Sequence, residues 1–196
     1  MHTADKIRLF EKIVDDVEYR VGRGEFREAV EKWRRVKDPR RLGGLKPRAF
    51  FAQRIHGASD KAVTAAHRRL LVTLYMADPV LGRMLVRRAG YVYAEKTLGP
   101  IDDFVEAGIE LARRGIGLFD FLGCRRGRCI FRVYDCLSCS GLTPSIGIGG
   151  TMCEWEAGII EYLVESVMRA APTVRETSCW LRGDPYCQFM VVVRAA

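Results

Sequence analysis

Seven cysteines stand in this chain of 196 residues, and none of them precedes position 124. Random scattering would rarely leave so long a stretch empty, so their clustering is a signal. Cys136 and Cys139 form a C-x2-C pair, Cys153 follows, and Cys179 and Cys187 flank the turn sequence Arg182-Gly183-Asp184-Pro185. Glu176 lies three residues before Cys179. Four thiolates, or three and a carboxylate, would suit a tetrahedral zinc ion, and a closed set of four protein donors leaves no position for water or substrate. Such an ion would tie segments together and contribute to folding rather than perform chemistry. Buried structural thiols are the competing reading. With a three-residue turn, Cys179 and Cys187 would face each other across a hairpin. Glu176 and Cys179 would then point to opposite faces of a regular strand, so both could reach one ion only through a bulge or an early strand end. A four-cysteine set avoids that difficulty.

Other chemistry is sparse. The glycine-rich SIGIGG at 145–150 lacks the strand context and the lysine of a phosphate cradle. His2, His56 and His67 form no spacing with an acid or nucleophile, and Asp102 and Asp103 read as helix-start residues. No catalytic residues are assigned.

The elements that must position the cysteines follow from periodicity. Helical spacing runs through 5–21 and 25–37, an amphipathic helical hairpin broken at Gly22 and Gly24. A linker by composition spans 37–44, and Phe50, Phe51 and Ile55 form an apolar patch of undefined type. Helices are predicted at 60–76, 79–98 and 101–114, with Asp78-Pro79 supplying an N-cap and a first-position proline. GLFDFL (117–122) and CIFRVYDC (129–136) alternate like strands around the basic turn CRRGRC. A Gly/Ser/Thr-rich loop at 138–151 precedes a helix at 153–168, and strands at 173–181 and 186–194 complete the chain. Helices followed by strand–strand–helix–strand–strand predict an α+β fold, an antiparallel sheet of about four strands packed against helices. The predicted division is an N-terminal helical extension over 1–45 and a domain over 46–196.

The net charge of +8 is uneven: residues 1–100 carry 22 basic and 12 acidic side chains, and residues 101–196 carry 10 and 12. A basic half could meet nucleic acid through the helices at 5–37, but interleaved Glu25, Glu28, Glu31 and Asp38 favour a solvated surface. The charged N-terminus and the short apolar runs point to a cytoplasmic protein with no membrane partner.

The run CEWEAGII…VRETSCWLRGDPYCQFMV resembles the 4-vinyl reductase domain family, in which a cysteine opens a helix and an acid precedes a Cys-x-x-x-Gly-Asp-x-x-Cys-x-Phe hairpin. The likeness extends from about Met76 to Val193 and is most specific from Cys153 to Phe189. It implies a structural Zn2+ on Cys153, Glu176, Cys179 and Cys187, with Cys136 and Cys139 as alternates and a kink near Glu176 and Thr177. The family's sensor domains in phenol-responsive activators, and the related TRAPP subunits, imply a pocket for a small hydrophobic or aromatic ligand. They also imply homodimerisation and action through a regulatory protein partner. Pocket candidates are Tyr91, Tyr93, Phe119, Phe121, Phe131 and Tyr134. The family name alone implies a second function, an enzyme or carrier of tetrapyrrole metabolism. The resemblance also leads to an expected small residue after Gly158, where this chain has Glu161-Tyr162.

Overall fold

The computed structural model describes Glu31 and residues 58–134, 136–139, 151–184 and 186–193. The readings for 5–21, 25–37, the linker, the 50–55 patch, most of the glycine-rich loop, His2 and His56 lie outside the described residues.

Three helices come first: α1 (Ala58–Ala77), α2 (Pro79–Leu98) and α3 (Phe104–Arg113). Asp78 caps α2 as its sequence announces, its carboxylate accepting from the backbone N–H of Val80 and Leu81 with Pro79 at the first position. Asp103 caps α3 through the N–H of Val105, which starts that helix three residues later than periodicity placed it. Two strands follow, β1 (Leu118–Arg125) and β2 (Arg128–Tyr134), then α4 (Glu154–Met168), β3 (Pro172–Ser178) and β4 (Cys187–Val193). The sheet is antiparallel with order β1-β2-β4-β3, the expected α+β architecture.

Strand parity decides what the sheet buries. Cys129, Phe131 and Val133 on β2 and Cys187, Phe189 and Val191 on β4 are buried and alternate with half-buried neighbours. Their registers align into rows, Phe121–Phe131–Phe189–Glu176 in one and Phe119–Val133–Cys187 in the next. Glu176 therefore belongs to the core face of the sheet. Helix α4 runs against β3. It is buried almost all round, from Trp155 through Ile159, Ile160, Leu163 and Val164, because α2 covers its other side.

The crossing of α2 and α4 is unusually close. A Cβ on Gly158 would lie 1.9 Å from the Arg87 carbonyl oxygen, and one on Gly90 would lie 1.9 Å from that of Trp155. Only hydrogen fits at either point. Around this crossing, Arg87 binds three elements at once. Its Nε donates to Glu154 at 2.7 Å, and its Nη1 donates to Glu161 at 3.1 Å and to the Val174 carbonyl of β3 at 3.2 Å. Tyr162 donates to the Gly99 carbonyl beyond the end of α2. Glu161 and Tyr162 thus fill positions where a small residue was expected, and they do so as polar ties at the rim of the crossing. Replacing Arg87 with methionine should keep most of the packing while leaving two half-buried carboxylates without their cation. The expected loss is about 2 kcal/mol, between the exposed-pair and fully buried limits, read by urea unfolding.

The final hairpin differs from its sequence reading. Strand β3 ends at Ser178, and a 3-10 turn over Trp180–Arg182 and a left-handed Gly183 make a longer connection than the three residues expected. The cause is visible in the hydrogen bonds: Cys179 N–H donates to the Asp184 carboxylate, and the Cys179 carbonyl accepts from Arg182 and Asp184. Cys179 consequently leaves the ladder, and Cys187 pairs with Val133 of β2 instead.

Candidate metal centre

Four segments converge beside the start of α4. Past the end of β2, Cys136 opens a short turn, Leu137–Cys139. That turn is held from two sides: the Arg68 guanidinium of α1 donates to the Leu137 carbonyl at 2.8 Å, and Ser138 N–H donates to buried Glu156 of α4 at 3.1 Å. His67, its ring edge-on to Trp155, lies 3.3 Å from the Ser138 hydroxyl. Cys153 occupies the cap position of α4, and its own N–H donates to the Glu176 carboxylate at 3.3 Å. Between Glu176 and Ser178 the β3–β4 register slips by one residue, at the kink that the resemblance placed near Glu176 and Thr177. The slip releases the chain from strict alternation, so Glu176 and Cys179 reach the same place. Cys187, the first residue of β4, completes the gathering.

Five sulfurs and one carboxylate result. Cys136, Cys139, Cys153, Cys179 and Cys187 are all fully buried. Cys153 Sγ is 3.6 Å from Cys136 Sγ, 3.5 Å from Cys187 Sγ and 3.8 Å from Cys179 Sγ, and Cys139 Sγ is 3.2 Å from Cys187 Sγ. Two sets of four donors have their atoms within 4.8 Å of one another: Cys136, Cys139, Cys153 and Cys187, and Cys153, Glu176, Cys179 and Cys187. The cluster could hold a metal ion. The second set is the one implied by the resemblance; the first brings in the C-x2-C pair.

The electrostatics of the donors fit a cation. Burial, then the neighbouring Cys179 thiolate, pushes the Glu176 carboxyl up to about 10. Burial likewise raises the thiols of Cys139, Cys153 and Cys187. Hydrogen bonds from Cys139, Cys153 and Cys187 hold Cys179 far below the thiol range, and similar bonds lower Cys136 against its burial. Glu176 Oε1 is buried with no hydrogen-bond partner, an acceptor facing a group of sulfurs. A buried carboxylate oxygen in that state costs about 1–3 kcal/mol or more, and a bound dication would remove the cost.

The remaining two cysteines lie elsewhere. Cys124 and Cys129 face each other across β1 and β2 and are joined as a disulfide. The sequence reading gave metal or packing roles to all seven; strand register explains the difference, since the four residues between them form the tight turn that sets the pair side by side.

The six aromatic pocket candidates do not share one site. Phe119, Phe121 and Phe131 line the core face, where Phe121 and Phe131 stack with Phe104 of α3 at centroid distances of 4.4–5.1 Å. Tyr93 packs on Trp155. Tyr91 donates to Glu165 at 2.6 Å at the α2–α4 seam, and Tyr134 lies on the opposite face of the sheet beside Asp120 and Tyr186. Phe104 belongs to the aromatic group and escaped the sequence reading because it opens a helix rather than extending a strand pattern.

A four-stranded antiparallel sheet backed by helices, with cysteines at a helix start and around the last hairpin, defines a domain of the 4-vinyl reductase type. The model of that domain family matches residues 129–193, so the chain carries a 4-vinyl reductase domain over that segment. Across 156 residues, 79% of this chain, it is 29% identical to uncharacterized protein MJ0150 of Methanocaldococcus jannaschii and spans 80% of that protein. It is 42% identical to uncharacterized protein MJ1642 of the same organism over 60 residues, 31% of this chain and 35% of that one. Among solved structures, a vinyl-4-reductase family protein from Methanocaldococcus jannaschii is similar at TM-score 0.46 and 15% identity, over 56% of this chain and 68% of that chain. The phenol-responsive sensory domain of the transcription activator PoxR, solved with phenol, is similar at 0.48 and 19%, over 66% and 74%. A trafficking protein particle complex subunit 3 from Naegleria fowleri, covalently bound to palmitic acid, is similar at 0.47 and 10%, over 69% and 97%. No helix among the described residues is long and apolar enough to cross a membrane.

Proposed function

We propose that this chain is a small-molecule binding or sensor protein whose 4-vinyl reductase domain is fastened by structural zinc and which acts as a homodimer or through a regulatory partner in the cytoplasm. The observation that carries the metal reading is the buried donor cluster, in which thiolates and one orphaned carboxylate oxygen meet where α4, the end of β2 and the last hairpin join. Sulfur-rich sets of this kind select zinc among the common divalent ions. The ion closes four protein donors and serves as a tie. No nucleophile paired with a base stands beside it among the described residues, which favours binding over catalysis.

The family match supports a hydrophobic or aromatic ligand, and the Phe104–Phe121–Phe131 group on the core face is the apolar surface that would meet it. Exposed Met76, Val80, Leu81, Met84 and Leu85 at the α1–α2 corner support pairing with a second copy. The test joins elemental analysis of the purified chain with calorimetric titration of phenol and of palmitate. At least one zinc per chain and saturable binding of one probe are expected. Metal-free protein would sink the zinc reading, and absence of binding to both probes would sink the ligand reading.

A further inference from the structure

The two donor quartets overlap at Cys153 and Cys187 and nowhere else. One tetrahedral ion uses four donors and strands the other two. If it takes the set with Glu176 and Cys179, Cys136 and Cys139 are left as buried thiols against occupied sulfurs. If it takes the C-x2-C set, Glu176 Oε1 stays buried without a hydrogen-bond partner. Neither arrangement accounts for all six side chains.

Two tetrahedra that share an edge do account for them. At a zinc–sulfur distance of about 2.3 Å, the sulfurs of one tetrahedron stand about 3.8 Å apart. The edge to be shared, Cys153 Sγ to Cys187 Sγ, measures 3.5 Å. The outer edges fall close to the same value, 3.6 Å from Cys136 to Cys153, 3.2 Å from Cys139 to Cys187 and 3.8 Å from Cys153 to Cys179. Small side-chain adjustments suffice to admit both ions. The charge also balances: six anionic donors against two dications leave the same net charge as one ion on four thiolates, with no donor left over. The outer C-x2-C pair is fixed in advance, since Arg68 and Glu156 hold the backbone of its turn, as supporting groups around metal ligands do.

We propose that the centre is binuclear. Two divalent ions of the zinc type are bridged by the thiolates of Cys153 and Cys187; Cys136 and Cys139 complete one ion, and Glu176 and Cys179 complete the other. Each thiol gives its proton to solvent on binding. The inference rests on the metal reading above and goes beyond it in stoichiometry and in the role of Cys136 and Cys139.

Native mass spectrometry of the full chain, purified with zinc and checked by elemental analysis, tests it. Two zinc ions per chain are expected. The double variant Cys136→Ser/Cys139→Ser and the double variant Glu176→Gln/Cys179→Ser should each retain one. One ion in the unaltered chain overturns the binuclear centre and leaves the single structural ion standing; none overturns both. Iron with inorganic sulfide in place of zinc also overturns it. Should either double variant fail to fold, Co2+ titration of the unaltered metal-free chain decides. Thiolate-to-cobalt absorption that saturates at two equivalents supports the proposal, and saturation at one equivalent overturns it.

Discussion

Gly158→Ala is expected to lower the melting temperature by roughly 5–10 °C. The added Cβ would sit 1.9 Å from the Arg87 carbonyl oxygen, and that atom is backbone, so no rotamer change relieves the overlap. Helices α2 and α4 must separate, which loosens every contact between them and strips the geometry that Arg87 makes with Glu154, Glu161 and Val174. Overpacking of a well-filled interior costs about 1–3 kcal/mol and sometimes more. Alanine returns about 1 kcal/mol of helix propensity, so a net loss of about 2–3 kcal/mol is expected. Thermal unfolding followed by circular dichroism measures it. A variant that melts with the parent would show that the helices do not approach so closely.

Withdrawal of the metal should have the larger effect. Structural zinc contributes about 10–16 kcal/mol in peptides that fold only around it. Here part of the structure has its own core, Phe131, Phe189, Ile159 and Leu163 among others, so the chain should loosen rather than unfold completely. The melting temperature is expected to fall by more than about 10 °C on chelation and to recover on return of zinc. The loss should concentrate where the donors lie, at the start of α4 and in the hairpin from Glu176 to Cys187. Hydrogen exchange with and without chelator locates it, and equal protection of that hairpin in both states would remove the metal as its fastening.

How much of this was legible in the sequence depends on whether local chemistry or distant packing decided the outcome. Asp78-Pro79 dictates its own cap, and the start of α2 follows from it. The alternation of Cys129, Phe131 and Val133 specifies a strand with one buried face, and the structure has that strand. Parity even demanded an irregularity between Glu176 and Cys179, because two donors three residues apart cannot share a face of a regular strand. The register slip before Ser178 supplies it.

The length of the hairpin connection was not legible. It depends on the Asp184 carboxylate turning back to the Cys179 N–H, a choice among turns that Gly183 and Pro185 both permit. The convergence of Cys136 and Cys139 with the other cysteines was open for a different reason. Their turn is placed by Arg68 and Glu156, residues remote in sequence whose partners no spacing reveals. The Cys124–Cys129 link needed the register of β1 against β2, which a glycine-containing turn fixes only once formed.

Strand β4 lies between β2 and β3, so the middle of the sheet is built from the latest strand in the sequence. The β1–β2 hairpin closes over a short turn, but β2 must wait for Cys187–Val193 before its second edge is satisfied. Until then the nascent or refolding chain carries an open strand edge, the kind of template that recruits other chains. The same delay leaves the thiols of Cys136, Cys139 and Cys153 without Cys187, free to cross-link in the wrong order. Refolding yield should therefore depend on reductant and zinc being present together before β4 docks, with protein concentration kept low.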